Sequence, residues 1–212
     1  MLEKRKIYNS ELDLDTLWWV EGDRGGLGTL YDGPLRDWIE ESPIWFSYCK
    51  KFDVVVQAGG MCGLYPLLYS RKFTCVYTFE PSPWNFAALS RNCWKPTIIK
   101  MNCALSNTNQ CMSIFDGVRY NVGMHKMDFS THDGLIPSIK IDQLALPKCD
   151  LIHLDIEGAE GLALEGAEET LNRFKPTVIL EYARGEDILF ALGYEKVYEG
   201  VMDSVYIHKQ RP

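Results

Sequence analysis

Short apolar runs alternate with amphipathic stretches from Asp53 onward, and this alternation limits the fold more than any other feature. Short apolar runs bounded by glycine or proline are typical of buried strands, and longer amphipathic stretches are typical of helices. Strands separated by helices give a parallel sheet with helices on both faces. The predicted strands are 54–56, 74–79, 97–101, 150–155, 176–181, 194–198 and 204–208, and the predicted helices are 64–69, 83–93, 160–174 and 186–192.

The last two predicted strands are joined only by residues 199–203, with Gly200 in the turn. That connection is too short for a crossover between parallel strands, so the last strand should run antiparallel. The sequence therefore predicts an α/β fold of Rossmann-like type. We expect a mostly parallel seven-stranded sheet, an antiparallel last strand and helices on both faces.

Two regions depart from the alternation. Residues 1–50 are rich in aromatic side chains, and residues 106–138 are polar and irregular. We interpret 1–50 as an N-terminal extension that caps the sheet or the site, or that contacts a second copy in a homodimer. The main domain is then 51–212. Within 106–138 we expect a strand near 112–115 followed by a loop, and loops of that length are often functional.

Charge and composition exclude several classes of protein. The net charge is −7 and no basic stripe is visible, which argues against nucleic acid as a partner. No apolar run approaches the roughly 20 residues that span a bilayer, and no secretory signal is visible, so we expect a cytoplasmic protein without a membrane partner. Seven cysteines without a C-x-x-C pair predict reduced, buried thiols rather than disulfides or a zinc site.

A glycine-rich turn follows the first predicted strand, in the order V-Q-A-G-G-M-C-G over residues 56–63. Glycine allows a tight bend and lets a ligand approach the backbone, and the next helix begins with free N–H groups. A purely structural strand-to-helix turn is the alternative. The turn marks Gly59, Gly60 and Gly63 as candidate ligand contacts.

Glu80 ends the second predicted strand, about 20 residues beyond the glycine-rich turn. An acidic residue at that place can accept hydrogen bonds from both hydroxyls of a ribose. An exposed glutamate without a ligand is the alternative. Together the turn and Glu80 predict a cofactor that contains ribose, but they do not separate a nicotinamide dinucleotide from S-adenosylmethionine.

Two acids follow the fourth predicted strand in the run H-L-D-I-E-G. If the chain is still extended there, Asp155 and Glu157 point into the same crevice with His153 below them. Such a pair can act as general base, orient a cationic substrate or hold a metal. One acid could instead cap the next helix while the other is solvated. Only two ligands are visible, so no metal site is predicted.

The run D-L-I-H-L-D-I-E-G-A-E, with K-P-T-V-I-L-E after it, resembles the FkbM-type methyltransferases, and the resemblance covers residues 53–181. It implies the class I methyltransferase fold and S-adenosylmethionine as cofactor. It places glycines of the turn beside the methionine and ribose, Glu80 on the ribose diol, 102–104 beside the adenine and Asp155 near the sulfonium. The implied cofactor-binding residues are Gln57, Gly59, Gly60, Gly63, Glu80, Pro81, Ser82, Asn102, Cys103, Ala104 and Asp155.

The activity that this resemblance implies is transfer of a methyl group to a hydroxyl of a sugar, glycan or small metabolite. A hydroxyl acceptor needs a base. Asp155, Glu157 and His125 are the predicted catalytic residues, and Glu181 and His132 are further candidates. A histidine with an ordinary pKa near ~6.5 could serve at neutral pH, although a loop histidine is commonly just solvated.

Two departures from the family pattern leave other functions open. Gln57 stands where the family has an acidic residue, and Met61 stands in place of an asparagine. A catalytically decayed methyltransferase fold that binds or assembles is therefore one alternative. An NAD(P)-dependent oxidoreductase is the second, although no substrate domain is visible. The N-terminal run W-W-V-E-G-D, residues 18–23, resembles the leader of some phage-encoded members of this family.

Overall fold

The computed structural model describes residues 1–6, 16–23, 34–115, 121–128 and 134–211, so His132 lies outside the described residues. The strands are β1 (Leu2–Lys6), β2 (Thr16–Val20), β3 (Val54–Ala58), β4 (Cys75–Phe79), β5 (Ile98–Met101), β6 (Ala104–Leu105), β7 (Cys111–Phe115), β8 (Lys126–Asp128), β9 (Ile136–Ile139), β10 (Leu151–Leu154), β11 (Thr177–Glu181), β12 (Tyr194–Glu199) and β13 (Asp203–His208). The helices are α1 (Pro34–Ser47), α2 (Leu64–Tyr69), α3 (Pro83–Asn92), α4 (Glu160–Glu165), α5 (Glu168–Phe174) and α6 (Glu186–Ala191), with a 3-10 turn at Ile141–Leu144.

In the described part of the chain, seven strands form the central sheet in the order β12-β13-β11-β10-β3-β4-β5. The strands from β11 to β5 are parallel, whereas β13 runs antiparallel to both β11 and β12. The predicted α/β class, the mostly parallel sheet and the antiparallel last strand are confirmed. The carboxyl ends of β3, β4, β10 and β11 therefore meet at one edge of the sheet.

Apolar side chains cover both faces of this sheet. Val55 belongs to one buried cluster, which includes residues of α1, α2 and α3, while Val56 belongs to a second cluster with residues of α4, α5 and α6. Every position of β3 and β11 is buried, as expected for strands that are covered on both sides. Among the described residues, no helix is both long and apolar enough to cross a membrane.

The single helix predicted over 160–174 is wrong, because the chain forms α4 and α5 with a break at Gly166. A Cβ atom on Gly166 would lie 2.1 Å from the carbonyl oxygen of Ser106, so only glycine fits this close packing. The Gly166 carbonyl accepts a hydrogen bond from the backbone of Asp142 at 3.0 Å. Packing against a distant part of the chain therefore interrupts a stretch whose local pattern favours one helix.

The loop predicted after residue 115 is also wrong in part. Within the described residues, β6, β9, β7 and β8 form a small second sheet in that order. The strand predicted near 112–115 is confirmed as β7, but β8 and β9 were not predicted. Their pairing joins segments far apart in sequence, with β9 parallel to β6 and antiparallel to β7, so no local pattern indicates it.

The described N-terminal residues pack against the central sheet. Trp19 of β2 and Trp45 of α1 are fully buried in the cluster that contains Val55. The side chain of Asn92 holds β2 in place, since it accepts a hydrogen bond from the Trp18 N–H and donates one to the Trp18 carbonyl, both at 2.8 Å. The domain boundary at residue 50 stays a prediction.

Asp142 caps α5 from outside the helix. Its carboxylate accepts the backbone N–H groups of Glu169 and Thr170 at 3.0 and 2.8 Å. We expect Asp142→Ala to lower the free energy of unfolding by about 1–2 kcal/mol, because two helix-terminal N–H groups lose their acceptor. Urea denaturation followed by circular dichroism measures this. Asp142→Asn keeps one acceptor oxygen and should lose less, whereas an Ala variant as stable as the wild type would contradict the assignment.

Candidate active site

A cavity of about 410 Å³ opens at the edge where β3, β4, β10 and β11 end. Ligand sites of open α/β sheets lie at this edge. Most of the predicted site residues line this cavity. They are Gly59, Gly60, Glu80, Pro81, Cys103, Ala104, His125, Asp155 and Glu157.

The glycine bend after β3 brings three strand ends together. Gly59 has a φ of 85°, and a Cβ atom on it would lie 1.8 Å from the carbonyl oxygen of Asp155. The backbone N–H groups of Gly59 and Gly60 both donate to the carbonyl of Phe79, at 3.1 and 2.9 Å. A side chain at position 59 would therefore push the end of β10 away from the end of β3.

Glu80 is buried just beyond β4, with its carboxylate held by backbone donors. One oxygen accepts the Met61 N–H at 2.7 Å and the other accepts the Ser82 N–H at 2.8 Å. Burial raises the pKa of Glu80 to about 7, although these hydrogen bonds act in the opposite direction. The carboxylate is thus oriented in advance at the wall of the cavity.

Two predicted residues of the glycine-rich stretch do not line the cavity. Gln57 is fully buried; its amide donates to the Ala58 carbonyl at 2.9 Å and accepts from the Thr78 hydroxyl at 2.7 Å. Gly63 precedes α2, and a Cβ atom there would lie 2.7 Å from the sulfur of Cys93. Both residues serve the packing that supports the bend.

Two further predicted residues support the turn that carries Glu80. Asn102 donates to the carbonyls of Glu80 and Pro81, at 2.7 and 3.1 Å. Ser82 caps α3, and its hydroxyl oxygen lies 3.5 Å from the Asn85 backbone nitrogen that donates to it. Neither side chain is among those that line the cavity. They hold a lining residue in place without lining the cavity themselves.

Three carboxyl groups converge on the opposite side of the cavity. Asp155, Glu157 and Glu181 each offer an oxygen, and these oxygens lie within 4.8 Å of one another. The expectation of an extended chain at this point is wrong, because β10 ends at Leu154 and Glu157 has a φ of 55°. The turn, rather than strand alternation, brings both acids into the cavity. Oxygen donors this close together can also suit a divalent cation.

The electrostatics of this cluster favour the protonated forms of Asp155 and Glu181. Burial, together with the charges of Glu181, Asp203 and Glu157, raises the pKa of Asp155 well above its ordinary range. Burial and the charge of Glu157 raise the pKa of Glu181 to about 7, while Arg184 acts against this shift. Asp155 and Glu181 therefore hold a proton more tightly than ordinary carboxyl groups do.

Arg184 is the counter-charge that the sequence analysis missed. One of its guanidinium nitrogens lies 3.3 Å from Glu181, 3.6 Å from Glu160 and 3.9 Å from Glu157. It follows β11 by three residues, at the same sheet edge as Asp155. Asp155 was identified because residues just after a parallel strand line the ligand crevice, and the same rule applied to β11 would have identified Arg184.

His153, on β10, is fully buried and does not line the cavity. Its Nδ1 atom is 2.6 Å from the Tyr69 hydroxyl oxygen, and its Nε2 atom is 3.6 Å from an oxygen of Asp203. Tyr69 keeps its proton, because burial raises its pKa well above the ordinary value. The hydroxyl can therefore donate to Nδ1, which directs the Nε2–H towards Asp203.

The wall that carries His125 comes from the segment leading into β8. All described residues from Asn121 to Met127 line the cavity. The backbone of Val122 is held at both groups, since its N–H donates to Asp23 at 3.1 Å and its carbonyl accepts from the Asn85 amide at 2.8 Å. His125 is thus brought to the same cavity as Asp155 and Glu157.

Comparisons with known proteins bear on the family and the fold of this chain. Residues 67–194 match the family described as the methyltransferase FkbM domain. The crystal structure of methyltransferase FkbM from Methylobacillus flagellatus is similar, with a TM-score of 0.51 and 18% identity over 74% of this chain. This chain spans 44% of that protein's length.

A second similar structure is Escherichia coli yhhF, provisionally described as a methyltransferase. Its TM-score is 0.55 and its identity 12%, over 99% of this chain and the whole of that one. Similarity at these identities concerns the fold alone. No curated protein matches the sequence. The family match covers more than half of the chain, and the chain therefore belongs to the FkbM methyltransferase domain family.

Proposed function

We propose that the protein uses S-adenosylmethionine to methylate a hydroxyl on a sugar, a glycan or another small metabolite. The observation that carries the proposal is the shared cavity, in which the Gly59 bend, the buried Glu80 and the acids at the end of β10 face one space. This reaction requires a backbone bend that lets the cofactor approach closely, a carboxylate that binds its ribose, and an acidic residue that can take the proton of the acceptor hydroxyl.

The residues of the cavity fit an adenosine-containing cofactor. Each oxygen of Glu80 accepts one backbone N–H and keeps capacity for a ribose hydroxyl. The Oδ1 atom of Asn85, which also lines the cavity, is buried and has no hydrogen-bond partner among the described residues. Cys103 and Leu105 add apolar surface to the lining of the same cavity. These groups would hold the nucleoside, with Glu80 on the diol.

The acids favour a cationic group on the other side of the cavity. When bound, S-adenosylmethionine supplies a methyl group on a positively charged sulfur, which is an excellent leaving group. A cation beside Asp155 would stabilise its ionised form, whose pKa is raised in the protein alone. Asp155 thus suits a place near the sulfonium, and the remaining acids lie beside the space left for an acceptor.

A carboxylate of the cluster is our proposed base. A group with a raised pKa binds a proton more tightly than an ordinary carboxylate, so it removes a hydroxyl proton more effectively once it is ionised. Asp155, Glu157 and Glu181 line the cavity together, and His125, on the segment that leads into β8, lines it as well. Positioning of the acceptor hydroxyl against one of these groups is the main task of the chain.

The two departures from the family pattern leave the hydrogen bonds around Glu80 and the glycine bend in place, although the Met61 side chain itself lines the cavity. Gln57 keeps its bond to Thr78 away from the lining, and Met61 donates its backbone N–H to Glu80 whatever its side chain. This supports an active enzyme over a decayed binding protein. Calorimetric titration with S-adenosylmethionine and with S-adenosylhomocysteine separates the active enzyme from the decayed protein. If the protein binds neither compound, the proposal is wrong.

Replacing Glu80 tests the ribose assignment. We expect Glu80→Gln to weaken S-adenosylhomocysteine binding by about 1.5–3 kcal/mol, which is at least tenfold, because hydrogen bonds to a charged group are lost. Isothermal calorimetry measures the affinity. Glu195→Gln removes an exposed carboxylate on β12 and should change nothing. Since Gln also places an NH₂ against a backbone donor, thermal melting of both variants is recorded, and unchanged affinity in a folded Glu80→Gln protein contradicts the assignment.

The raised pKa of Glu181 predicts a pH-dependent cost in the protein without ligand. The folded-state pKa of about 7 exceeds the ordinary value of 4.5, so stability falls as pH rises through this window. Glu181→Gln should therefore gain stability relative to the wild type at pH 8, by on the order of 1–3 kcal/mol more than at pH 5. Denaturant unfolding at both pH values measures this. If the difference in unfolding free energy between the variant and the wild type were the same at pH 5 and pH 8, ionisation of Glu181 would not destabilise the folded protein.

A further inference from the structure

A second cavity, of about 280 Å³, lies at the edge of the sheet where the parallel strands begin. Asp53, Asp150 and Thr177 line it, and they stand at the start of β3, β10 and β11. The same strands end at the candidate active site, and strands of this length separate the two openings by roughly 15 Å. Among the described residues, none lines both cavities.

Positive charge is concentrated at this second cavity. Six of the 22 lysine and arginine residues line it, in a chain whose net charge is −7. Only two carboxylates, Asp53 and Asp150, are among its lining residues. Among the described lining residues, positive side chains therefore outnumber carboxylates by four. The cations are Lys50, Lys51, Lys148, Arg173, Lys175 and Arg211.

The two carboxylates are already engaged. Asp150 accepts the backbone N–H groups of Asp53 and Val54 at 2.8 and 2.9 Å, which ties it to the start of β3. Asp53 pairs with Lys148 at 2.9 Å. Within the described part of the chain, Lys51, Arg173 and Lys175 have no carboxylate within ion-pair distance. Like charges left without a counter-ion repel one another, and a bound anion removes that repulsion.

Hydrogen bonds hold the guanidinium group of Arg211 at this site, and the exposed Arg173 lies beside an aromatic ring. Arg211 donates to the carbonyl of Tyr48 and lies within hydrogen-bond distance of the Thr177 hydroxyl. Arg173 lies 4.7 Å from the centre of the Phe174 ring. Guanidinium groups bind phosphate oxygens in a paired geometry, and ordering them in advance lowers the entropic cost of binding.

We propose that this second cavity binds a diphosphate group, at the sheet edge opposite the candidate active site. A diphosphate carries about three negative charges near neutral pH, which offsets most of the excess of four. The small volume favours a compact anion over a long chain. Free pyrophosphate and the diphosphate of a nucleotide share this chemistry. The proposal does not rest on methyl transfer.

Calorimetric titration with inorganic pyrophosphate, at 50 and 150 mM NaCl, tests the site. We expect one ligand per chain and weaker binding at the higher salt. Lys51→Gln combined with Arg173→Gln should reduce the affinity at least tenfold, because two exposed cations of the cavity are lost. Lys6→Gln combined with Lys72→Gln removes the same charge from exposed positions elsewhere and should leave the affinity within about twofold. Thermal melting verifies that each variant folds.

Further titrations separate the sources and the alternatives. Binding of ADP as tight as pyrophosphate assigns the site to a nucleotide, and binding of pyrophosphate alone assigns it to the free anion. Glu80→Gln should leave both affinities unchanged, since a loss there would place the ligand in the other cavity and overturn the proposal. The proposal would also be overturned if the two double variants lost the same affinity for pyrophosphate, or if the protein bound no pyrophosphate at 50 mM NaCl. It would likewise be overturned if inorganic phosphate bound as tightly as pyrophosphate, or if a single-stranded oligonucleotide bound more tightly.

Discussion

The contact between Gly59 and the carbonyl of Asp155 is the constraint on which the site depends. A side-chain carbon at position 59 would lie 1.8 Å from that oxygen, so the ends of β3 and β10 approach this closely only with glycine. The same bend directs two N–H groups to Phe79 and so fixes the end of β4. The backbone bend at Gly59 and Gly60 thus fixes the ends of β3, β4 and β10 relative to one another. The cavity exists because this arrangement leaves their following residues facing a common space.

Burial of acids in that space sets its chemistry. Asp155, Glu157 and Glu181 converge, and among the described residues Arg184 is the cation close enough to pair with Glu157 and Glu181. Their mutual repulsion and desolvation favour binding of a proton or a cation. After β4, Glu80 is as buried as Glu181, but its carboxylate accepts hydrogen bonds from two backbone N–H groups. The cavity therefore combines Glu80, a hydrogen-bond acceptor that is already oriented, with a group of acids that has too few cations nearby to neutralise it.

The sequence predicted those parts of the molecule that depend on local pattern. Apolar runs gave the central strands, and a short connection gave the antiparallel last strand. Residues directly after strands, such as Glu80 and Asp155, were placed correctly at the cavity. Long-range contacts were not predictable: the break at Gly166 depends on Ser106, and the second sheet pairs β9 with β6 and β7. The basic cavity was hidden because its cations come from separate segments while the average charge is negative.

Residues of the N-terminal segment hold the cavity wall that carries Val122 and His125, which lie about 100 residues further along the chain. Asp23 is buried; one of its oxygens accepts the indole N–H of Trp19 at 2.7 Å, and the other accepts the N–H of Val122 at 3.1 Å. Arg5 donates to the carbonyl of Asp23 at 2.8 Å. Trp19 is therefore packed on the sheet core while its hydrogen bond orients a carboxylate towards the cavity wall. The position of His125, three residues beyond Val122, depends on that carboxylate as well as on β8.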